Sequence, residues 1–234
     1  MPARIGTMNL KNAVHAIEAR GALLVFPMDN RKEPPSLWSE FFPRTPMRWE
    51  WDENGDDRVA RLWHLRAELS GSGRIVYGKW FRGRATCLSR DLAPALIRLH
   101  NPQLPTLPSL GTEARSVMEI LDMDSPVSSK ELRKLVGLQG RPNETLWTRA
   151  LKELWERFLI VGYGEVDDGA FPSLAIGATR LMFEDLWEEA CALPMDEALE
   201  RVQGALPEDS LFLKKFIPSQ EQRRARRHSP VANQ

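Results

Sequence analysis

The chain has 234 residues, 42% of them hydrophobic and 27% charged, and its 32 Lys and Arg balance its 32 Asp and Glu. These are globular proportions, which exclude an intrinsically disordered chain, and the length allows a core without covalent staples. The longest apolar run, Ala22–Phe26, falls well short of the about 20 residues that span a bilayer, so no membrane is expected as a partner.

In chain order, Met1–Leu10 lacks the continuous apolar stretch of a secretory signal. Asn9 to Arg20 predicts a helix: Leu10, Ala13, Val14 and Ile17 share one face, and Gly21 stands where a C-terminal glycine cap belongs. Ala22 to Phe26 reads as a buried strand, ended by Pro27. The following segment holds Pro34, Pro35, Pro43 and Pro46 together with Trp38, Trp49 and Trp51, which bars one long helix and leaves a short one over Ser36 to Phe42. Asp56 to Leu69 reads as a second full helix, with Val59, Leu62, Trp63 and Leu69 toward the core and His64 as a structural histidine beside them.

Arg74 to Ser89 changes period. Ile75, Val76 and Tyr77 open a strand, Arg82-Gly83 is a turn, and Ala85 to Leu88 return. Ser89 then caps a helix that runs to about His100. Asn101 to Pro108, with three prolines in eight residues, is the clearest linker. Beyond it, Thr112 caps a helix whose Val117, Met118, Ile120 and Leu121 face inward, and Ser128 with Glu131 makes a capping box for Ser129 to Val136. A third helix, Glu144 to Phe158, places Trp147, Ala150, Leu151, Leu154, Trp155 and Phe158 on one stripe. Leu159 to Val166, the turn Asp167-Asp168-Gly169 and Ala170 to Ile176 complete a hairpin.

Three short helices followed by a hairpin is the element order of a winged helix. The expected fold class is therefore α+β and mostly helical: a winged helix-turn-helix domain preceded by a helical domain with a small β-hairpin or sheet. The expected boundaries are 1–104 for the first domain, 105–213 for the winged helix with its C-terminal helices, and 214–234 for a basic tail expected to be disordered. Cys87 and Cys191 lie outside any CxxC pair, and His15, His64, His100 and His228 have no metal-ligand spacing. This points to a reduced, cytoplasmic protein with no metal and no cofactor.

At this point a resemblance emerges. The run EARSVMEILDMDSPVSSKELRKLVGL, followed by ETLWTRALKELWERFLIVGYGEV, resembles the winged-helix segments of the AlkZ/YcaQ-like crosslink DNA glycosylase superfamily. The run RIVYGKWFRGRATCLSRDLAPAL, with PSLW upstream, is similar to the shorter AlkZ-related proteins. The likeness covers most of residues 9–190 and implies a DNA-handling ancestry. The crosslink glycosylases carry a Gln-x-Gln or Gln-x-Asp motif in their cleft. The Gln-x-Gln of this chain, Gln220-Glu221-Gln222, lies in the basic tail, so no catalytic residue is expected.

The zero net charge is a sum over opposed segments. Residues 70–110 carry +5, residues 166–213 carry −9 and residues 214–234 carry +5. These patches either satisfy one another or present one basic face to a polyanion. Aromatic and basic residues interleave over Tyr77–Arg84, where Lys79, Arg82 and Arg84 are candidate phosphate contacts. On the helix-turn-helix pair the candidates are Lys130, Arg133, Lys134, Arg141, Thr145, Thr148, Arg149 and Lys152. The alternative is a solvated helix held by pairs such as Arg149–Glu153 and Lys152–Glu156. Glu165, Asp167 and Asp168 place acids at the wing, where they would repel phosphate. The reading with most support is a non-catalytic winged-helix protein that binds duplex DNA. A divergent DNA glycosylase acting on alkylated or crosslinked DNA, and a protein-interaction module with a protein partner, are the alternatives; the oligomeric state is left open.

Overall fold

The period-two alternation of the extended segments sorts their side chains onto two faces, and helices cover both. In the computed structural model, which describes residues 7–49, 57–170 and 172–217, six strands form one sheet in the order β1-β3-β2-β5-β6-β4. They are β1 Ala22–Leu24, β2 Val76–Phe81, β3 Arg84–Leu88, β4 Val127–Ser128, β5 Ile160–Val166 and β6 Ser173–Ala178. Each pairing of neighbours is antiparallel. The helices are α1 Leu10–Arg20, α2 Leu37–Phe41, α3 Asp57–Gly71, α4 Ala93–His100, α5 Thr112–Met123, α6 Ser129–Leu135, α7 Glu144–Glu156, α8 Thr179–Met182, α9 Glu184–Ala192, α10 Met195–Ala205 and α11 Leu211–Phe216. This is an α+β architecture. No helix among the described residues is long and apolar enough to cross a membrane.

Tyr77 and Cys87 point to one face, where α1, α2 and α3 supply Ile17, Trp38 and Leu62. Val76 and Leu88 point to the other, where Leu96 of α4, Val117 of α5, Leu154 of α7 and Val202 of α10 close a larger core. Burial pushes the Cys87 thiol up to about 12, so it is inert filling at neutral pH.

Several local signals act as the sequence predicts. The Asn9 side chain accepts from the Asn12 amide at the start of α1. Ser36 and Ser39 cap α2 reciprocally, and the Ser128 hydroxyl accepts from the Glu131 amide at α6. Arg82 and Gly83 both take positive φ, 51° and 72°, which lets a two-residue turn join β2 to β3. Thr112 differs from expectation: it is the first helical residue of α5, and Gly111 precedes it without a side-chain cap. α3 buries Val59, Leu62 and Leu69 as expected, but not Trp63. Trp63 is 46% exposed and His64 is exposed, because Leu62, Leu65 and Leu69 take the core and the Arg66 guanidinium lies under the Trp63 ring at 4.2 Å.

The wing-like hairpin β5–β6 does not stand free. β5 joins β2 through Tyr77 opposite Gly162, so the sheet runs across the 101–108 segment. A Cβ on Gly162 would lie 2.6 Å from the Tyr77 ring, so only glycine permits that approach. α11 continues to Phe216, which is buried and whose carbonyl oxygen is 2.7 Å from His100 Nε2. Residues 214–217 thus belong to the fold, while Gln220-Glu221-Gln222 and the arginines at 223–227 lie outside the described residues.

Candidate nucleic-acid interface

Strand β2 carries a register shift between Gly78 and Phe81, and this sets the site. The shift sends Trp80 and Phe81 into the same core while Lys79 stays exposed. The Trp80 indole folds over Gly78, where any Cβ would meet its ring at 2.5 Å, and it stacks on Phe158 at 5.3 Å and meets Trp155 edge-on at 6.3 Å. Trp155 belongs to α7. The β2–β3 turn is thereby anchored against the C-terminal end of α7, although the two segments are about seventy positions apart in sequence.

Between the turn and the helix lies a cleft of about 620 Å³. Its walls are Lys79, Trp80, Arg82 and Gly83 on one side and Glu144, Trp147, Thr148, Leu151, Lys152, Trp155 and Glu156 on the other, with Lys215 of α11 at one end. Its four cations exceed its two carboxylates, and Glu156 pairs with Lys215 at 3.3 Å while Glu144 pairs with Arg133 at 2.8 Å. Burial, aided by the charge of Arg66 on the α3 side of the sheet, holds the Lys79 ammonium below the ordinary lysine value although the residue is exposed. The arrangement combines an apolar floor with cations at the rim.

Of the sequence candidates, Lys79, Arg82, Thr148 and Lys152 converge on this cleft. Arg84 is exposed at the start of β3 and does not line it, and Arg141 and Thr145 are exposed before and within the first turn of α7. The others are engaged elsewhere. Lys130 donates to the Asp168 carbonyl oxygen at 2.6 Å. Arg133 donates to the carbonyl oxygens of Leu138 and Gly140 as well as to Glu144. Lys134 pairs with Glu131 at 3.3 Å, and Arg149 approaches Glu113 at 3.9 Å. The carboxylates expected for Arg149 and Lys152 instead face other partners: Glu153 meets Arg157, and Glu156 meets Lys215. Sequence periodicity marks Trp147 and Trp155 as core only, and it leaves Lys215 in the tail; the fold alone brings them to the cleft.

Two acids of the β5–β6 hairpin, Glu165 and Asp168, have structural partners, while Asp167 is exposed. Glu165 forms an ion pair with Arg66, whose guanidinium also donates to the Tyr77 hydroxyl at 3.4 Å. Asp168 accepts from the hydroxyls of Ser128 at 2.5 Å and Ser173 at 2.6 Å, and these hydrogen bonds hold its carboxyl below the ordinary aspartate value. A depressed carboxyl contributes stability that is complete above the unfolded-chain range and is lost as pH falls through the lowered value. Asp168→Asn should therefore lower Tm at neutral pH, and the gap from the parent chain should close as the solution is acidified. A gap that stayed constant across the acid range would refute this role for the carboxyl.

No group of His, Cys, Asp and Glu placed to hold a metal ion occurs among the described residues. No curated protein matches the chain, and no solved structure matches it either. A family model described as AlkZ related does match, over residues 7–209, and the chain belongs to that family.

Proposed function

We propose that this chain is a winged-helix DNA-binding protein, related to the AlkZ-type DNA glycosylases and without their Gln-x-Gln motif at its cleft. In this reading α5, α6 and α7 are the three helices, β5–β6 is the wing, and residues 1–104 form the preceding domain. The observation that carries it is the cleft, where Lys79, Arg82 and Lys152 gather from distant segments beside an apolar floor. Family membership supports a DNA partner, since the glycosylases this family is related to act on DNA. Glu165 is offset by Arg66, while Asp168 stays ionised and Asp167 is exposed, so the reading places the duplex at the cleft and not at the hairpin tip.

Phosphate contacts release counterions, with a log–log slope of about −0.9 per contact on duplex DNA. Three cleft cations give a slope near −3 by this rule, hence an affinity loss of roughly 50-fold between about 50 and 200 mM salt. Fluorescence anisotropy on a labelled duplex measures this directly. Arg82→Gln with Lys152→Gln should shrink the slope by about 2. No binding at low salt, or binding indifferent to salt, would sink the reading.

A second reading, a protein-interaction module, draws on a different observation. Three helix-turn-helix cations, Arg133, Lys134 and Arg149, meet carboxylates within the fold, while Met123, Leu135 and Leu181 are 90%, 53% and 48% exposed. Firm salt-dependent duplex binding would count against it.

A further inference from the structure

Lys215 of α11 stands at one end of the cleft, and Ile217, two positions on, is the last described residue. Phe212 and Phe216 bury α11 in the larger core, and the Phe216 carbonyl oxygen meets His100 Nε2 at 2.7 Å, so the point where the chain leaves the fold is fixed. The last turn of α11 carries Lys214 and Lys215, both exposed, and Lys215 pairs with Glu156 of α7 at 3.3 Å. Residues 218–234 follow, with Arg223, Arg224, Arg226 and Arg227 against one acid, Glu221. The full chain is neutral, so residues 1–217 are net −3 and the compensating charge lies in this short segment. A body of net negative charge repels a polyanion at long range, and binding then depends on cations delivered locally. Guanidinium groups suit that task, because their planar fork matches phosphate geometry.

We propose that residues 223–227 are a DNA-binding arm that continues the cleft, with Arg223, Arg224, Arg226 and Arg227 contacting the phosphates beyond those held in it. This inference rests on the DNA-binding reading of the cleft and adds a second contact to it. Arg223 follows Ile217 by six positions and Arg227 by ten, so an extended chain carries them up to about 20 and 35 Å from the cleft end. That reach equals roughly six to ten base pairs of duplex. The rival site for the arm is the acidic surface of α9 and α10, where Glu188, Asp196 and Glu200 are exposed. The exit point favours DNA, because the chain leaves at the cleft and none of those acids lines it. The tether makes the second contact intramolecular, so the arm adds affinity without altering the cleft.

The test is fluorescence anisotropy of the full chain on a labelled duplex of about 30 base pairs, three times the arm's reach, across a series of salt concentrations. Four arm cations add about −3.6 to the cleft's share of the salt slope, so the parent chain should show a slope of about −6. Changing all four positions together, as Arg223→Gln, Arg224→Gln, Arg226→Gln and Arg227→Gln, should return the slope to about −3 and weaken binding at about 100 mM salt roughly tenfold or more. The same four positions changed to Lys keep the charge and should leave the slope within about 1 of the parent value. A fall in slope of less than about 2 in the Gln variant, with firm duplex binding by the parent, overturns the arm whatever the affinity does. The arginines would then be serving the acids of α9 and α10, and the cleft reading would stand alone. Absence of duplex binding by the parent at low salt removes the DNA reading itself, and the arm with it.

Discussion

Arg66→Met is expected to destabilise the protein by about 3 kcal/mol, because removing one partner of a buried ion pair leaves the other charge uncompensated. At about 2–4 °C per kcal/mol for a chain of this size, Tm should fall by roughly 6–12 °C. Arg66 is 5% exposed at its side chain and Glu165 16%; the residual exposure of Glu165 places the cost at the low end of the range for buried pairs. The arginine binds three elements at once: it lies under Trp63 of α3, donates to Tyr77 of β2 and pairs with Glu165 of β5. Burial pushes the Tyr77 phenol upward while Arg66 pulls it down, so that hydroxyl stays protonated at neutral pH. Replacing both charges, as Arg66→Met with Glu165→Leu, should recover most of the loss, since an apolar pair of similar volume is often as stable as a buried ion pair. Denaturant titration of the two single variants and the double variant measures the coupling. A loss below about 1 kcal/mol for Arg66→Met would mean that water screens the pair as it does on a surface.

Phe158 gives the second large effect. It is 3% exposed, stacks on Trp80 at 5.3 Å, and meets His100 at 4.8 Å and Phe216 at 5.9 Å edge-on. Its backbone sits at φ 57°, in the left-handed region. Phe158→Ala should cost about 4 kcal/mol through the lost ring and the cavity left behind. Phe158→Gly loses the same ring, yet it relieves the left-handed strain, worth about 1 kcal/mol. The glycine variant should therefore be the more stable of the two, as is usual at a left-handed helix end and against the order in a helix interior. If the alanine variant proves more stable, the backbone there is not strained.

What could be read from the chain was what short-range physics decides. The stripe from Trp147 to Phe158 and the Arg82-Gly83 turn follow from spacing and φ preference within a few residues, and both stand in the structure. The pairing of β2 with β5 could not be read, since it depends on Gly162 making room for the Tyr77 ring and no local signal says which strand that gap serves. The same blindness affected charge. Glu165 looked like a wing acid because its partner Arg66 is 99 positions away, and the periodicity of α3 offered Trp63 as core where the fold buries Arg66. The site suffered equally: Lys79 and Lys152 were each visible as cations, but their shared cleft with Lys215 exists only once the Trp80 indole has locked the turn onto α7.

The single register pair that joins β2 to β5 also matters for how the chain is made. Gly162 follows Tyr77 by 85 positions. At about 5–20 residues per second on the ribosome, the outer edge of β2 waits roughly 4–17 s for its neighbour. An open strand edge is a template for pairing with other chains during that interval. Lys79 sits on that edge as an exposed charge, of the kind that blunts such pairing. Lys79 would thus guard the nascent protein, and a neutral replacement there would show its cost first as lost soluble yield.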